Sequence, residues 1–294
     1  MILVVGATGL LGSEICRRLR ARGRPVRGLV RPGSPNAESL RDLGVELVEG
    51  DLRDRESLEI ACEGVAAIVS TATAMGSKDR SLSLRSVDYE GQLRLIDVAR
   101  AHAVPTFVHM SASPNLKPSA PLVGYKRAVE RVLRGSGMRW TVLQPSVLMD
   151  VWLSSLLGWD HIAGRATVFG SGRAPLSWIA VPDVAEHAVR AIDDERLVNI
   201  EVPLGGPERL SPNEVVRIFE EVSGRPYRVW RVPRQVLAIG APIVSLFDEG
   251  IASGMSMGAQ TARGDLIDSP LQRELALPLT TVREYAVRVL HRGA

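Results

Sequence analysis

The sequence predicts a doubly wound α/β fold: a parallel sheet with helices on both faces, joined to a small C-terminal α/β region. First, short apolar runs rich in β-branched residues alternate with helix-period patterns through the first half of the chain. Second, a glycine-rich turn connects the first apolar run to the first helical pattern. Third, 294 residues with 45% hydrophobic content are enough for a large core.

The elements of the first half follow in order along the chain. The predicted strands are 2–5, 25–30, 45–49, 66–70, 106–111 and 140–145. The predicted helices between them are 10–22, 36–43, 54–62, 82–102 and 121–135. Because the strand runs are apolar throughout, they fit a sheet that is covered on both faces.

After about residue 150 the alternation loosens, although a helix at 183–193 and a strand near 198–202 are still predicted. We therefore expect a first domain at 1–150, to which 183–202 returns. The smaller C-terminal region would comprise 151–182 and 203–294. Three predicted helix starts, 183–186, 211–214 and 281–284, carry the capping-box spacing, which accounts for their acidic residues without catalysis.

Charge and cysteine content exclude several classes of protein. The 36 basic and 33 acidic residues are dispersed and give a net charge of +3, which predicts no nucleic-acid surface. Cys16 and Cys62 lack metal-site spacing, as do the histidines, so no metal is predicted. With a strand starting at Ile2 and no membrane-length apolar run, we expect a cytoplasmic protein without a signal peptide or transmembrane segment.

The turn "GATGLLG" follows the first strand and opens the first helix, which is the context of a dinucleotide-binding loop. Glycines at its first, fourth and seventh positions would allow a tight turn, close approach of a pyrophosphate, and close packing of helix on strand. A helix N-terminus also offers free N–H groups to phosphate. The candidate cofactor-binding residues here are Gly6, Thr8, Gly9, Leu10, Leu11 and Gly12; a plain strand-to-helix connection is the alternative.

The second strand ends at Arg31, where a carboxylate would select NAD(H). An arginine can instead bind a 2′-phosphate through paired hydrogen bonds. We therefore predict that NADP(H) is preferred, with NAD(H) as a second option. The alternative is a solvated arginine at a strand end.

Two further strand ends supply candidates for cofactor contacts. Asp51 and Leu52 follow the third strand and would flank the adenine, with Asp51 accepting a hydrogen bond from its amine. Thr71, Ala72 and Thr73 follow the fourth strand, where small residues would let the backbone approach a ribose. A turn residue and an ordinary loop are the respective alternatives.

These stretches together resemble the NmrA-like branch of the atypical short-chain dehydrogenase/reductases. That branch includes isoflavone-reductase-like proteins, NAD(P)H:quinone oxidoreductases and a nucleotide-binding subunit associated with respiratory complex I. The resemblance covers roughly residues 1–200 and rests on "GATGLLG", "LVRPGS", "VEGDLRD", "VDYEGQLRLIDVARAHAVPTFVHMSAS", "YKRAVERVL", "LQPSVLMD" and "WIAVPDVAEHAV". It implies a Rossmann domain, bound NADP(H) and a C-terminal substrate region, with Pro145, Ser146 and Val147 along the nicotinamide.

The resemblance also implies a ribose-binding lysine, and Lys126 is the candidate. Wider superfamily members place a proton-donating tyrosine four residues before this lysine, but that position holds Leu122. Tyr125 is adjacent, although helix neighbours point about 100° apart. Ser111 stands where the superfamily places a hydroxyl. We take Lys126, Tyr125 and Ser111 as the catalytic candidates.

The chemistry that needs least from the protein is hydride transfer from NADPH to a small quinone-like or related electrophilic acceptor, since a quinone can take protons from solvent. Two alternatives stay open: an NADP(H)-sensing regulator without turnover, and a nucleotide-binding structural or assembly subunit. The predicted partner is a small-molecule substrate, and a homodimer is left open. For Lys126, the alternative is a surface residue paired with Glu130.

Overall fold

The computed structural model describes residues 1–34, 36–77 and 79–291, in two compact units. The first unit contains Met1–Ser111, Gly124–Leu143 and Val184–Val202. The second contains Ala112–Val123, Gln144–Asp183 and Pro203–Ala294. Residues 112–123 and 144–150, which the sequence assigned to the first domain, therefore fall in the second unit.

A seven-stranded sheet forms the centre of the fold. Its strands are β1 (Ile2–Val5), β2 (Val26–Val30), β3 (Glu46–Glu49), β4 (Ala67–Ser70), β5 (Thr106–Met110), β6 (Arg139–Pro145) and β9 (Ile200–Leu204). They lie in the order β3-β2-β1-β4-β5-β6-β9, and pairing is parallel from β3 through β6. The order reverses between β1 and β4, as in doubly wound nucleotide-binding sheets.

Helices connect these strands, and the central strands are buried along their whole length. Every residue of β1, β4 and β5 is buried, because a parallel sheet with crossover helices has no water-facing side. The predicted fold class is therefore confirmed. The helices around this sheet are α1 (Leu10–Ala21), α2 (Ala37–Asp42), α3 (Arg55–Cys62), α4 (Gln92–Ala101), α5 (Pro121–Arg134) and α7 (Val181–Arg190).

The predicted helix 82–102 is interrupted: a π-helix, Arg85–Gly91, leads directly into α4. Gly91 is the last residue of the π-helix, and its backbone lies close to neighbouring residues. A Cβ on Gly91 would lie 2.8 Å from Leu52 Cβ and 2.9 Å from Ser86 O. Sequence periodicity does not distinguish a π-turn from an α-turn over so few residues. π-helical turns are rare and occur often at functional sites.

The second unit is built from short elements around an aromatic core. Trp159, Phe219, Tyr227 and Tyr285 are buried there, and Phe219 packs edge-on against the other three rings. Strands β8 (Leu176–Ser177) and β10 (Arg209–Leu210) pair antiparallel, and β7 (Arg165–Phe169) pairs in parallel with β11 (Arg228–Val232). The helices are α6 (Met149–Trp152), α8 (Pro212–Ser223), α9 (Arg234–Val244), α10 (Glu249–Thr261), α11 (Pro270–Leu275) and α12 (Val282–His291), with 3-10 turns at Ser155–Leu157 and, in the first unit, Glu195–Leu197.

Two of the three predicted capping boxes are confirmed, at 211–214 and 281–284, where each hydroxyl residue and its glutamate exchange hydrogen bonds. The third is wrong. Helix α7 begins at Val181, so Asp183 lies inside its first turn. The Asp183 carboxylate instead accepts hydrogen bonds from the backbone N–H and the hydroxyl of Thr280. Glu186 forms ion pairs with Arg18 of α1 and with Arg22, the C-cap residue of that helix.

Both cysteines are buried and unpaired, and burial raises the pKa of Cys16 to about 12 and that of Cys62 to about 11. Among the described residues, no group of His, Cys, Asp and Glu side chains could hold a metal ion. Within the same residues, every helix is too short or too polar to cross a membrane. The cytoplasmic location stays a prediction.

Candidate functional site

The glycine turn between β1 and α1 depends on missing side chains at two positions. Gly6 adopts φ +82°, in the left-handed region, and a Cβ there would lie 2.8 Å from Ala72 N. A Cβ on Gly12 would lie 2.1 Å from Gly6 O, closer than any stable contact. These two glycines therefore hold the turn against its own helix and against the end of β4.

Gly9 differs from the other two glycines because a Cβ there would meet a single backbone atom among the described residues, and less closely. It is the N-cap of α1, with extended backbone and no side-chain cap, and the first helical turn contains no acidic residue. A Cβ on Gly9 would approach only Gly6 O, at 3.2 Å. Gly9 and Leu10 are exposed, while Thr8 and Leu11 are half-buried. An uncapped, exposed helix N-terminus of this kind fits a pyrophosphate.

Arg31 lies directly after β2, and its side chain is 49% exposed. Its Nη1 is 3.0 Å from Asp79 Oδ2, in the loop that follows β4. The next part of the β2 loop is tied to the glycine turn, because Asn36 Nδ2 donates to Thr8 O at 3.1 Å. Arg31 is thus an accessible cation at the expected selectivity position, with a carboxylate as its present partner.

Asp51 and Leu52 follow β3, and the structure gives both of them local partners. The Asp51 carboxylate accepts three hydrogen bonds from Arg53, one from the backbone N–H and two from the guanidinium. Partial burial acts to raise the pKa of Asp51, but the hydrogen bonds and charge of Arg53 outweigh it and lower that pKa. Leu52 is buried, and its carbonyl accepts from Arg94. Contact of Asp51 with an adenine stays a prediction.

Thr71, Ala72 and Thr73 run away from the end of β4 beside the glycine turn. Thr71 donates through both its N–H and its hydroxyl to Val5 O, at 2.9 and 3.1 Å. The Thr73 hydroxyl accepts from Met75 N. Thr71 thus holds the start of this segment against β1, and the approach of the segment to a ribose stays a prediction.

Lys126 is a buried basic residue of the first unit, with only 5% of its surface exposed. Its Nζ donates to Met110 O at 3.0 Å and lies 3.6 Å from Asp88 Oδ1. The alternative of a surface pair with Glu130 is wrong. Glu130 is itself buried and accepts from Ser111 and Arg127.

Asp88 is the residue that sequence reasoning missed. It is fully buried in the π-helix, and its Oδ2 accepts from Ala74 N at 2.9 Å. Burial raises the pKa of Asp88, and the Lys126 ammonium opposes that rise. The signal was present, because Asp88 and Gln92 occupy buried positions in line with Leu95 and Ile96. Polar residues on an apolar stripe need partners.

Tyr125 and Ser111, the other catalytic candidates, face different surroundings from Lys126. The ring of Tyr125 stacks on Tyr89, with centroids 5.6 Å apart. The Ser111 hydroxyl donates to Glu130 and accepts from Arg127 at 3.3 Å. The sequence has leucine, not tyrosine, four positions before Lys126, and the roles of Tyr125 and Ser111 stay predictions.

His109 lies on β5 and is fully buried. Within the described residues neither ring nitrogen has a hydrogen-bond partner. Burial, assisted by the charge of Lys126, holds the pKa of His109 well below its ordinary value of 6.5. The ring is therefore neutral at physiological pH.

Pro145, Ser146 and Val147 belong to the second unit and are all buried there. The Ser146 hydroxyl donates to Asp265 Oδ2 at 2.7 Å, and the Ser146 N–H donates to Leu204 O. Asp265 also accepts from Ser113 and thereby links several segments of this unit. Their placement along a nicotinamide stays a prediction.

The first unit therefore assembles most of the candidate residues. The glycine turn, Arg31, Asp51, the segment 71–73 and Lys126 all lie at or just beyond the carboxyl ends of strands β1 to β5. In doubly wound sheets, ligands bind at this edge, where the strand order reverses. The arrangement can hold phosphate at the helix end and present a buried ammonium to a polar ligand.

Comparison with known proteins agrees with this geometry. The profile of the NmrA-like family matches residues 1–286. The chain belongs to the NmrA-like family. Curated relatives include the photosystem II assembly factor Ycf39 of Synechocystis, 29% identical over 89% of this chain and 83% of that protein. They also include an NAD(P)H azoreductase of Xenophilus azovorans, 31% identical over 78% of this chain and 76% of that protein.

Among solved structures, the fold matches an NADPH-dependent quinone oxidoreductase of Escherichia coli complexed with NADPH, with a TM-score of 0.78. The match covers 98% of this chain and 99% of that one at 19% identity. This likeness shows that the NmrA-like chain shares the fold of a nucleotide-binding reductase.

The glycine turn allows a paired test of structure against binding. We expect Gly9→Val to fold, with a loss of about 1 kcal/mol for the poorer N-cap, and to lose measurable NADPH binding because the side chain would block the approach of a pyrophosphate to the start of α1. Gly12→Ala should instead lose about 1–3 kcal/mol of stability through overpacking against Gly6 O. Calorimetry and nucleotide titration measure both. A folded Gly9→Val protein with parental affinity would show that the stretch is only a turn.

His109 predicts a pH dependence of stability. Its folded pKa is depressed, so its contribution is present above pH 6.5 and is lost as the pH falls toward the folded value. Below pH 6.5, His109→Leu should therefore reduce the slope of unfolding free energy against pH by about 1.4 kcal/mol per unit. Denaturant unfolding between pH 7 and pH 4.5 measures the slope, with exposed His102→Gln as the control. Parallel curves for parent and His109→Leu would contradict the assignment.

Proposed function

We propose that this NmrA-like chain binds NADP(H) and transfers hydride to a small quinone-like or related electrophilic acceptor. The observation that carries the proposal is the buried Lys126, held by Asp88 and Met110 O at the carboxyl end of β5. Burying an ammonium and a carboxylate side by side costs more than burying apolar residues, so the pair indicates a functional site.

Support for NADP(H) comes from the glycine turn and Arg31. The open N-terminus of α1 suits the pyrophosphate, and the exposed guanidinium after β2 suits a 2′-phosphate. The azoreductase relative and the oxidoreductase of similar fold are both named for reduced nicotinamide nucleotides. Bound NADPH supplies the hydride, and the protein supplies binding and orientation.

Lys126 would orient the nicotinamide ribose. An ammonium has three N–H donors, and Met110 O accepts a hydrogen bond from one of them at 3.0 Å. Asp88 Oδ1, at 3.6 Å, compensates the charge from beyond hydrogen-bond distance, so a donor is available for a ribose hydroxyl. Because Lys126 is buried, such a bond would be stronger than at a wet surface.

The acceptor class follows from the leucine at the position where the wider superfamily has its proton-donating tyrosine. Position 122 holds leucine, and the Ser111 hydroxyl donates to Glu130. A quinone or azo group gains protons readily from solvent after hydride arrives, whereas an unactivated ketone depends on a positioned acid. The site therefore favours quinones and azo compounds over unactivated ketones.

A second candidate is a nucleotide-binding assembly or regulatory protein without turnover. The leucine at position 122 favours it as well, and the chain resembles a photosystem II assembly factor over most of its length. Both candidates need the nucleotide site, so the distinction between them lies in catalysis alone.

The deciding experiment measures NADPH oxidation by the purified chain against a panel of quinones, azo dyes and simple ketones. The nucleotide retained by the same sample is released by denaturation and quantified. The reductase proposal expects turnover with quinones or azo dyes and none with ketones. Nucleotide binding without turnover across the panel would support the second candidate, and absence of nucleotide binding would contradict both.

Arg31 predicts the nucleotide preference. A charge-assisted contact with the 2′-phosphate contributes about 1.5–3 kcal/mol, so Arg31→Ala should erase most of the preference for NADPH over NADH. Titration of both nucleotides into parent and variant measures the ratio. Equal affinities of the parent protein for NADPH and NADH would contradict this role of Arg31.

Lys126 and Asp88 predict separate effects on binding and stability. Lys126→Met should lower nucleotide affinity and any turnover about tenfold, or about 1.4 kcal/mol, and should also destabilise the fold by leaving Asp88 unpaired. Lys126→Met/Asp88→Asn should regain stability without regaining affinity. Tyr125→Phe keeps the ring that stacks on Tyr89 and should stay near the parent. Loss of turnover in Tyr125→Phe with parental activity in Lys126→Met would show that the proton donor is a tyrosine.

A further inference from the structure

Two arginines tie the loop after β4 to the ends of β2 and β3. Arg31 Nη1 contacts Asp79 Oδ2 at 3.0 Å. Arg53 Nη1 donates to Ser81 O at 2.9 Å, while the rest of its guanidinium holds Asp51. Asp79 in turn accepts from Ser81 N at 2.9 Å. The loop therefore presents a fixed carboxylate to Arg31.

The four charges of this cluster divide into two pairs. Arg53 satisfies Asp51 through three hydrogen bonds, so Asp51 is not the partner of Arg31. Within the described residues, Asp79 is the carboxylate that pairs with Arg31. The hydrogen bonds from Ser81, and then the charges of Arg31 and Arg53, lower the pKa of Asp79, which is therefore ionised at neutral pH.

Asp79 Oδ2 takes the Nη1 group of Arg31, one part of a guanidinium that has five N–H donors. A 2′-phosphate would therefore compete with Asp79 for the charge of Arg31 and for its Nη1 edge. Both members of the pair are nearly half exposed, at 49% and 44% of their side chains, so the pair is screened and easily displaced. A phosphate dianion carries more charge than a carboxylate, so it would displace Asp79 from Arg31.

We propose that Asp79 is a specificity-determining residue: it competes with the 2′-phosphate of NADP(H) for Arg31 and so weakens binding of that nucleotide but not of NAD(H). The inference rests on the proposed nucleotide site. When NADP(H) binds, the guanidinium changes partner and Asp79 is released to water. NAD(H) has hydroxyls in place of the phosphate and leaves the Arg31–Asp79 pair intact.

The test is Asp79→Asn, which removes the charge and keeps an oxygen for the Ser81 N–H. NADPH and NADH are titrated by calorimetry into the full chain at one fixed ionic strength. We expect NADPH to bind the variant about two- to fivefold more tightly than the parent, the range of an exposed ion pair, with NADH unchanged. The gain should vanish in an Arg31→Ala background.

The matched control is Asp97→Asn. Asp97 is an exposed carboxylate on α4 that pairs with Arg55, so its substitution changes net charge equally away from Arg31. Unchanged NADPH affinity in Asp79→Asn, or equal gains for NADPH and NADH, would overturn the inference. So would an equal gain in Asp97→Asn. If the parent binds neither nucleotide, the proposed function fails first and the inference with it.

Discussion

Lys126 can be buried only because Asp88 and Met110 O surround its ammonium. Asp88 reaches that position through the π-helix before α4 and is fixed there by the N–H of Ala74, just beyond β4. The end of β4, the π-helix, β5 and α5 are therefore coupled through one ion pair. Removing either charge would leave the other uncompensated in the interior, so the geometry of this edge of the sheet depends on both.

The glycine turn of the same unit depends on an absence of side chains. Gly6 and Gly12 let the turn fold against Ala72 and against its own helix, which leaves the N–H groups beside Gly9 without a cap. The N-terminus of α1 suits an anionic group of a ligand, whereas the ammonium of Lys126 suits polar hydroxyls. A dinucleotide carries both groups, which joins the two observations in one function.

The strand–helix alternation and the glycine spacing were enough to predict the doubly wound sheet, because each depends on local pattern. Lys126 was found by resemblance, but its burial and its partner were not. Asp88 lies in a segment whose periodicity suggested one continuous helix, whereas the structure has a π-helix there that ends at Gly91, where a Cβ would lie 2.8 Å from Leu52 Cβ. The prediction of a capping box at 183–186 was wrong because the Asp183 carboxylate accepts hydrogen bonds from Thr280, which is distant in sequence. Long-range partners of buried polar groups are not encoded in local pattern.

We propose that the buried ammonium of Lys126 lies at the nicotinamide end of an NADP(H) site. A crystal structure of the parent chain grown with NADP⁺ tests this placement. We expect pyrophosphate at the N–H groups beside Gly9 and a nicotinamide ribose hydroxyl within hydrogen-bond distance of Lys126 Nζ, with Asp88 still paired. Nucleotide bound elsewhere, or bound at the glycine turn with its ribose out of reach of Lys126, would contradict it.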